Sequence, residues 1–109
     1  MEATKSSFLE VMGDSPMNRI LDFLITFDEF DYSLTEIADN AGVGYSTLML
    51  LWPKVEYAGL VICTRKVGKS KMFMLHKESD IVKELVKLHW QIARTEMARA
   101  VENKALEAA

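Results

Sequence analysis

Arg65, Lys66, Lys69 and Lys71 put four bases into the seven residues "RKVGKSK", with no acid among them. Cationic side chains at that density suit one kind of chemistry: they neutralise the phosphates of a polyanion and release its counterions. Charge along the rest of the chain is arranged to match. Residues 1–44 carry nine acids and two bases (net −7), residues 45–77 one acid and six bases (net +5), and residues 78–109 six acids and five bases (net −1). The overall charge of −3 conceals this partition. A basic patch on an acidic body suits a polyanion bound in one orientation, while a solvated basic hairpin is the plainer alternative.

Other residue types that could carry chemistry lack the spacing for it. His76 and His89 lie thirteen residues apart, and neither has a second histidine or cysteine within one helical turn, so no metal site is predicted. Cys63 is the only cysteine, which excludes an intrachain disulfide; inside an apolar run it reads as a small buried hydrophobe. There is no phosphate-cradling glycine loop, nucleophile elbow or activated serine, so neither an enzyme nor a cofactor is predicted. The acids between residues 28 and 39 spread over a loop and a helix start, as ordinary solvated surface does. Trp52 and Trp90 could line a small-molecule effector pocket, but large aromatics at helical spacing mostly serve core or interface, so an effector has no support from sequence.

At 109 residues the chain has room for one modest core, and its composition, 50% hydrophobic and 27% charged, is that of a globular protein. No apolar run approaches the roughly 18 residues of a membrane span, and the first residues lack the pattern of a signal peptide. A soluble, cytoplasmic protein is predicted.

The elements that must position the basic hairpin are four helices and the hairpin itself. Phe8, Leu9 and Met12 suggest a short helix laid across the body or a partner subunit. Ser15-Pro16 starts a helix in which Met17, Ile20, Leu21, Leu24 and Ile25 recur at helical spacing. Ser33-Leu34-Thr35-Glu36 is a capping box opening a helix over roughly 34–41. Ala41-Gly42-Val43-Gly44 makes a tight turn, after which Leu48, Leu51 and Val55 mark the inward face of a helix from Tyr45, closed by Ala58-Gly59. Pro53 falls inside it, and a proline there costs roughly 3 kcal/mol in a straight helix, which predicts a kink or break near Trp52. Strands follow at about 60–65 and 71–76, joined around Val67-Gly68. From Asp80 one helix runs to the end without glycine or proline. At 1.5 Å per residue it would span about 42 Å, against a diameter near 34 Å for a compact domain of this size. Leu85, Leu88, Ile92, Met97 and Val101 continue apolar rows past that edge, which predicts that a second copy of the chain covers them.

The order helix, helix, turn, helix, two strands, long helix, with "LTEIADNAGVGYSTLMLLWPKVEYAGLV" at its centre, resembles the winged helix-turn-helix transcriptional regulators of bacteria and archaea, in the ArsR/MarR-like group. The resemblance is carried by Ile37-Ala38, Gly42-Val43, Tyr45-Ser46-Thr47-Leu48 and Ala58-Gly59-Leu60-Val61, and covers about residues 16–76. It implies a mainly α fold with a small β-hairpin: a winged helix-turn-helix unit over 1–79 and a dimerisation helix over 80–109. It also implies a homodimer binding duplex DNA, with Tyr45, Ser46, Thr47, Met49, Leu50 and Lys54 on the recognition helix and Arg65, Lys66, Lys69 and Lys71 on the wing. Gly44 stands where the group often has a capping serine. Met49 and Leu50 cannot form the bidentate base contacts of arginine, asparagine or glutamine, although they can touch thymine methyls. They could instead pack on the chain's own Trp52 or N-terminal segment. An apolar face of Met49, Leu50 and Trp52 would also suit a protein partner, in a winged helix kept as an interaction module of a transcription, replication or partition complex.

Overall fold

The structure is a computed structural model that describes residues 5–108. Its order is α1 (Ser7–Met12), α2 (Pro16–Thr26), α3 (Leu34–Ala41), α4 (Tyr45–Tyr57), β1 (Val61–Val67), β2 (Ser70–Leu75) and α5 (Asp80–Ala108). The mainly helical class with one antiparallel hairpin is the class expected from sequence.

Side-chain caps set the helix starts. The Ser15 hydroxyl accepts from the Asn18 amide ahead of α2, with Pro16 at the first helical position where no donor is missed. Ser33 and Glu36 complete the capping box of α3: the Ser33 hydroxyl accepts the Glu36 amide, and the Glu36 carboxylate accepts the Ser33 amide. Gly42 then takes a left-handed φ of 69°, a conformation that costs a residue with a Cβ, and this turns the chain from α3 into α4. Gly44 opens α4 without a side-chain cap.

Ile20, Leu24, Ile25, Ile37, Leu48, Val55, Leu75 and Val82 form the fully buried centre, contributed by α2, α3, α4, β2 and α5. Phe8 of α1 joins them, so this short helix lies on the chain's own body. Pairing Tyr32 with Phe73 adds a one-residue bridge, with reciprocal amide-to-carbonyl bonds of 2.8 Å, that ties the α2–α3 connection to the hairpin. A single bridged residue leaves no periodicity in the sequence to find.

Four expectations need correction. Helix α4 runs unbroken through Pro53. Pro53 lies on the exposed side, so the Met49 carbonyl it leaves without a donor belongs to the solvent-facing backbone, where water can serve. Cys63 is exposed, because β1 has solvent along almost its whole length beyond Val61. The strands reach further than expected and the loop is shorter: Val67 pairs with Ser70, leaving only Gly68 and Lys69 between them. Lastly, Leu85 and Ile92, expected beneath a second copy, form an inward row against the chain's own core with Val82, Val86 and His89. A histidine on that row broke the apolar pattern.

Helix α5 has 29 residues and, at 1.5 Å each, extends about 43 Å. The molecule measures 59 × 34 × 21 Å with a radius of gyration of 15.9 Å. From Met97 to Ala108 every residue of α5 is exposed, so the distal part of the helix stands clear of the body.

Candidate nucleic-acid interface

The inner face of α4 fixes its outer face. Leu48, Trp52 and Val55 are buried and Leu51 is half-buried. With about 100° between successive residues, the row facing directly away from them is Ser46, Leu50, Pro53 and Tyr57. All four are exposed, Leu50 at 79% and Tyr57 at 95%. Tyr45 and Met49 flank this row on one side, Thr47 and Lys54 on the other, and all four are exposed too. The outer row carries no charge and one short hydroxyl besides the terminal phenol of Tyr57. Sequence reading selected Tyr45, Ser46, Thr47, Met49, Leu50 and Lys54 but omitted Pro53 and Tyr57, whose positions follow from the helix continuing where a break was predicted. Met49 and Leu50 do not pack on the chain's own core. Trp52 does: it is buried, meets Phe73 edge-on at 5.2 Å, and so is no part of an exposed face.

The wing turns on Gly68, whose φ of 61° at the first loop position, with no positive φ at Lys69, is the pattern of a type II′ hairpin turn. Lys66 pairs with Lys71 across the ladder, and Lys69 occupies the loop. All three are exposed, and among the described residues none has an acid within ion-pair distance.

Arg65 is different. Its Nε donates to Asp31 Oδ2 at 2.9 Å and its Nη2 to Oδ1 at 3.1 Å, a bidentate pair, while the Thr64 hydroxyl donates to the same carboxylate at 2.5 Å. Successive side chains of a strand normally point to opposite faces. The register shift between Cys63 and Arg65 places a bulge at Thr64, which lets both neighbours reach one acceptor. Hydrogen bonds from Arg65 first and Thr64 second hold the Asp31 carboxyl down at about 2, against a usual 3.8. Arg65 thus anchors the root of the wing to the α2–α3 connection rather than standing free beside Lys66.

Between helix and wing lies an open cleft of about 370 Å³, with Thr35 at the start of α3, Tyr45, Met49 and Glu56 of α4, and Lys69 and Lys71 on its walls. Glu56 is its one acid.

At the other end of the body, His89 of α5 bonds through Nε2 to Asp22 Oδ1 of α2 at 2.7 Å, and its ring lies 5.1 Å from Phe8 and 4.6 Å from Trp90. His89 is buried, so this contact fastens α5 to α2. No spacing in the sequence signals the pair, whose members are 67 residues apart. Among the positions expected to meet a second chain, Ile92 belongs to the chain's own core and Leu85 packs against it, while Leu88, Met97 and Val101 are exposed, as is Leu106. Among the described residues no three metal-ligating side chains cluster, and no helix is long and apolar enough to cross a membrane.

Neither a family model nor a curated protein matches the chain by sequence. Solved structures do match its fold. One is MepR, a transcription regulator of the Staphylococcus aureus multidrug efflux pump MepA, with a TM-score of 0.65 and 17% identity over 86% of this chain and 72% of that one. Another is the homodimeric winged helix-turn-helix DNA-binding domain of Mb0332 from Mycobacterium bovis, with a TM-score of 0.52 and 18% identity over 94% of this chain and 82% of that one. A third is Lactococcus lactis ZitR in complex with DNA, with a TM-score of 0.54 and 14% identity over 83% of this chain and 70% of that one. The fold is that of winged-helix transcriptional regulators, the fold which the resemblance in sequence implies.

Proposed function

We propose that the chain is a transcriptional regulator that binds duplex DNA as a homodimer, with α4 in the major groove and the wing on the flanking backbone. The observation that carries this reading is the juxtaposition, across one open cleft, of Lys69 and Lys71 with Tyr45 and Met49 of the exposed side of α4, with Lys66 beside Lys71 on the ladder and none of the three lysines ion-paired among the described residues. Phosphate is the partner that three exposed ammonium groups beside a groove-sized helix suit. Mb0332 is a homodimer and ZitR binds DNA through the same fold, which supports both halves of the proposal. The dimer would form through the exposed distal part of α5, where Met97, Val101 and Leu106 have no cover from their own chain. The activity is binding rather than catalysis, in the cytoplasm, and requires no cofactor.

Titration of duplex DNA at several salt concentrations tests this. Three phosphate contacts in each protomer of a dimer should give a slope of log affinity against log salt near −5, at about −0.9 per contact. Arg65, committed to Asp31, is left out of that count. Absence of binding to pooled genomic DNA at about 50 mM salt would remove the proposal.

One observation favours a second reading. Leu50, Pro53 and Tyr57 form an apolar strip of the kind that meets proteins, so a winged helix retained as an interaction module would use the same face. The wing's lysines count against it, because an apolar interface gives them nothing to neutralise. Binding indifferent to the loss of Lys69 and Lys71 would favour the interaction module.

A further inference from the structure

We infer that α4 reads the C5-methyl groups of pyrimidines, so that the bases this protein selects are thymine and, equally by chemistry, 5-methylcytosine. The inference rests on the DNA-binding reading above and adds what is recognised there. Base edges in the major groove present hydrogen-bonding groups and a single kind of apolar group, the pyrimidine methyl. The outward row of α4 presents Ser46, Leu50, Pro53 and Tyr57, and Leu50, at its middle, is 79% exposed with Met49 beside it. An exposed leucine pressed against amide, amine or carbonyl edges would desolvate them without replacing their hydrogen bonds, whereas against a methyl it buries apolar surface at no polar cost. No arginine, asparagine or glutamine occurs anywhere on α4 to supply a bidentate alternative, and Lys54 lies to one side of the row. Pro53, one turn further along, has no amide donor and also offers only carbon to the groove. Selectivity is then carried by methyl burial, while the wing lysines supply affinity without choosing a sequence.

The experiment uses the full-length protein and four duplexes of about two and a half helical turns, long enough for two half-sites one turn apart. They are alternating A·T, the same duplex with uracil for thymine, alternating G·C, and the same duplex with 5-methylcytosine. Uracil lacks only the methyl and keeps every hydrogen-bonding group. Burial of one methyl corresponds to about a fourfold change in affinity, so a dimer with one Leu50 on each half-site should bind A·T about fifteenfold more tightly than A·U. The methylated G·C duplex should exceed its unmethylated counterpart by a similar factor. Leu50→Ser alters an exposed position outside the core and should abolish both differences while preserving the salt slope. Equal affinity for A·T and A·U, with salt-dependent binding intact, would overturn methyl reading and leave the DNA-binding proposal standing. A thymine preference that survives Leu50→Ser would overturn it as well, since the preference would then come from duplex shape. Failure to bind any of the four at about 50 mM salt would remove the DNA-binding proposal and methyl reading together.

Discussion

The outward face of α4 and the wing carry opposite chemistries. On α4 the outward row is Ser46, Leu50, Pro53 and Tyr57, without a charge; on the wing Lys66, Lys69 and Lys71 stand exposed, with no acid within ion-pair distance among the described residues. Methyl-sized apolar contacts depend on which base is present, and ammonium-to-phosphate contacts do not. Under the DNA-binding reading proposed above, the difference teaches that how tightly and where the protein binds can reside in separate elements of one small fold. Each can then be altered with little effect on the other.

The largest expected effect tests whether the pair of elements works once or twice per site. Removing residues 97–109 takes away exposed Met97, Val101 and Leu106 but no residue buried in the described chain, whereas cutting after Leu88 would remove the buried His89 and Ile92. The shorter truncation should give a folded monomer by light scattering, with affinity for a two-half-site duplex reduced by about a hundredfold or more as the second contact set is lost. A truncated protein that remains dimeric would place the interface elsewhere.

Next in size is the wing. Changing Lys69 and Lys71 together to alanine should flatten the salt slope by roughly two per protomer and lower affinity for all sequences alike. Ser46→Ala should do the converse, shifting preference among sequences at an unchanged slope. If both variants alter slope and preference together, the division between helix and wing fails.

The outlines of both elements are legible in the sequence, and the exceptions have physical causes. Caps at Ser15 and Ser33, the turn at Gly42 and the inward Leu48 and Val55 follow local rules that a few neighbouring residues decide. What escaped depends on distant partners. Arg65 reads as one of four equivalent bases until the bulge at Thr64 brings it to Asp31, 34 residues away. His89 reads as a histidine with no second metal ligand within a helical turn, and nothing nearby in sequence points to Asp22, which meets it inside the body. Pro53 reads as a helix breaker because propensity treats every interior position alike, although a missing donor costs less on a face open to water. Tyr57 and Pro53 became part of the outward row only because the helix continues that far.

A smaller effect is expected at the root of the wing. The Asp31 carboxyl titrates lower in the folded protein, at about 2, than its ordinary value of 3.8. A depressed folded value means that its contribution to stability is complete above the ordinary value and is lost as pH falls through 3.8 towards 2. Thermal melts of the natural protein and Asp31→Asn should therefore differ at pH 5 and converge near pH 2. Freed from the bidentate pair, Arg65 should become available to phosphate and steepen the salt slope by about one per protomer at neutral pH. An unchanged slope would mean that the wing root lies too far from the backbone, and would confine the cationic contribution to Lys66, Lys69 and Lys71.

The smallest change in binding is expected from Pro53→Ala. Helix α4 is already continuous through this residue, so alanine need not straighten a break; it restores a donor towards the Met49 carbonyl and removes a ring from the outward row. The first effect acts on the fold. Proline is up to about 3 kcal/mol worse than alanine inside a helix, and its stiffening of the unfolded chain returns about 1 kcal/mol, so the variant should be more stable by about 1 to 2 kcal/mol in denaturant titrations. The second acts on the site. Losing the ring exposes no polar group and moves no charge, so affinity of the dimer should fall by no more than about threefold, less than one buried methylene per protomer, at an unaltered salt slope. A tenfold or larger loss of affinity would show that the proline sets the path of α4 in the groove. Leu50 would then owe its position to Pro53, and the helix side of the comparison would depend on backbone geometry as much as on apolar contact.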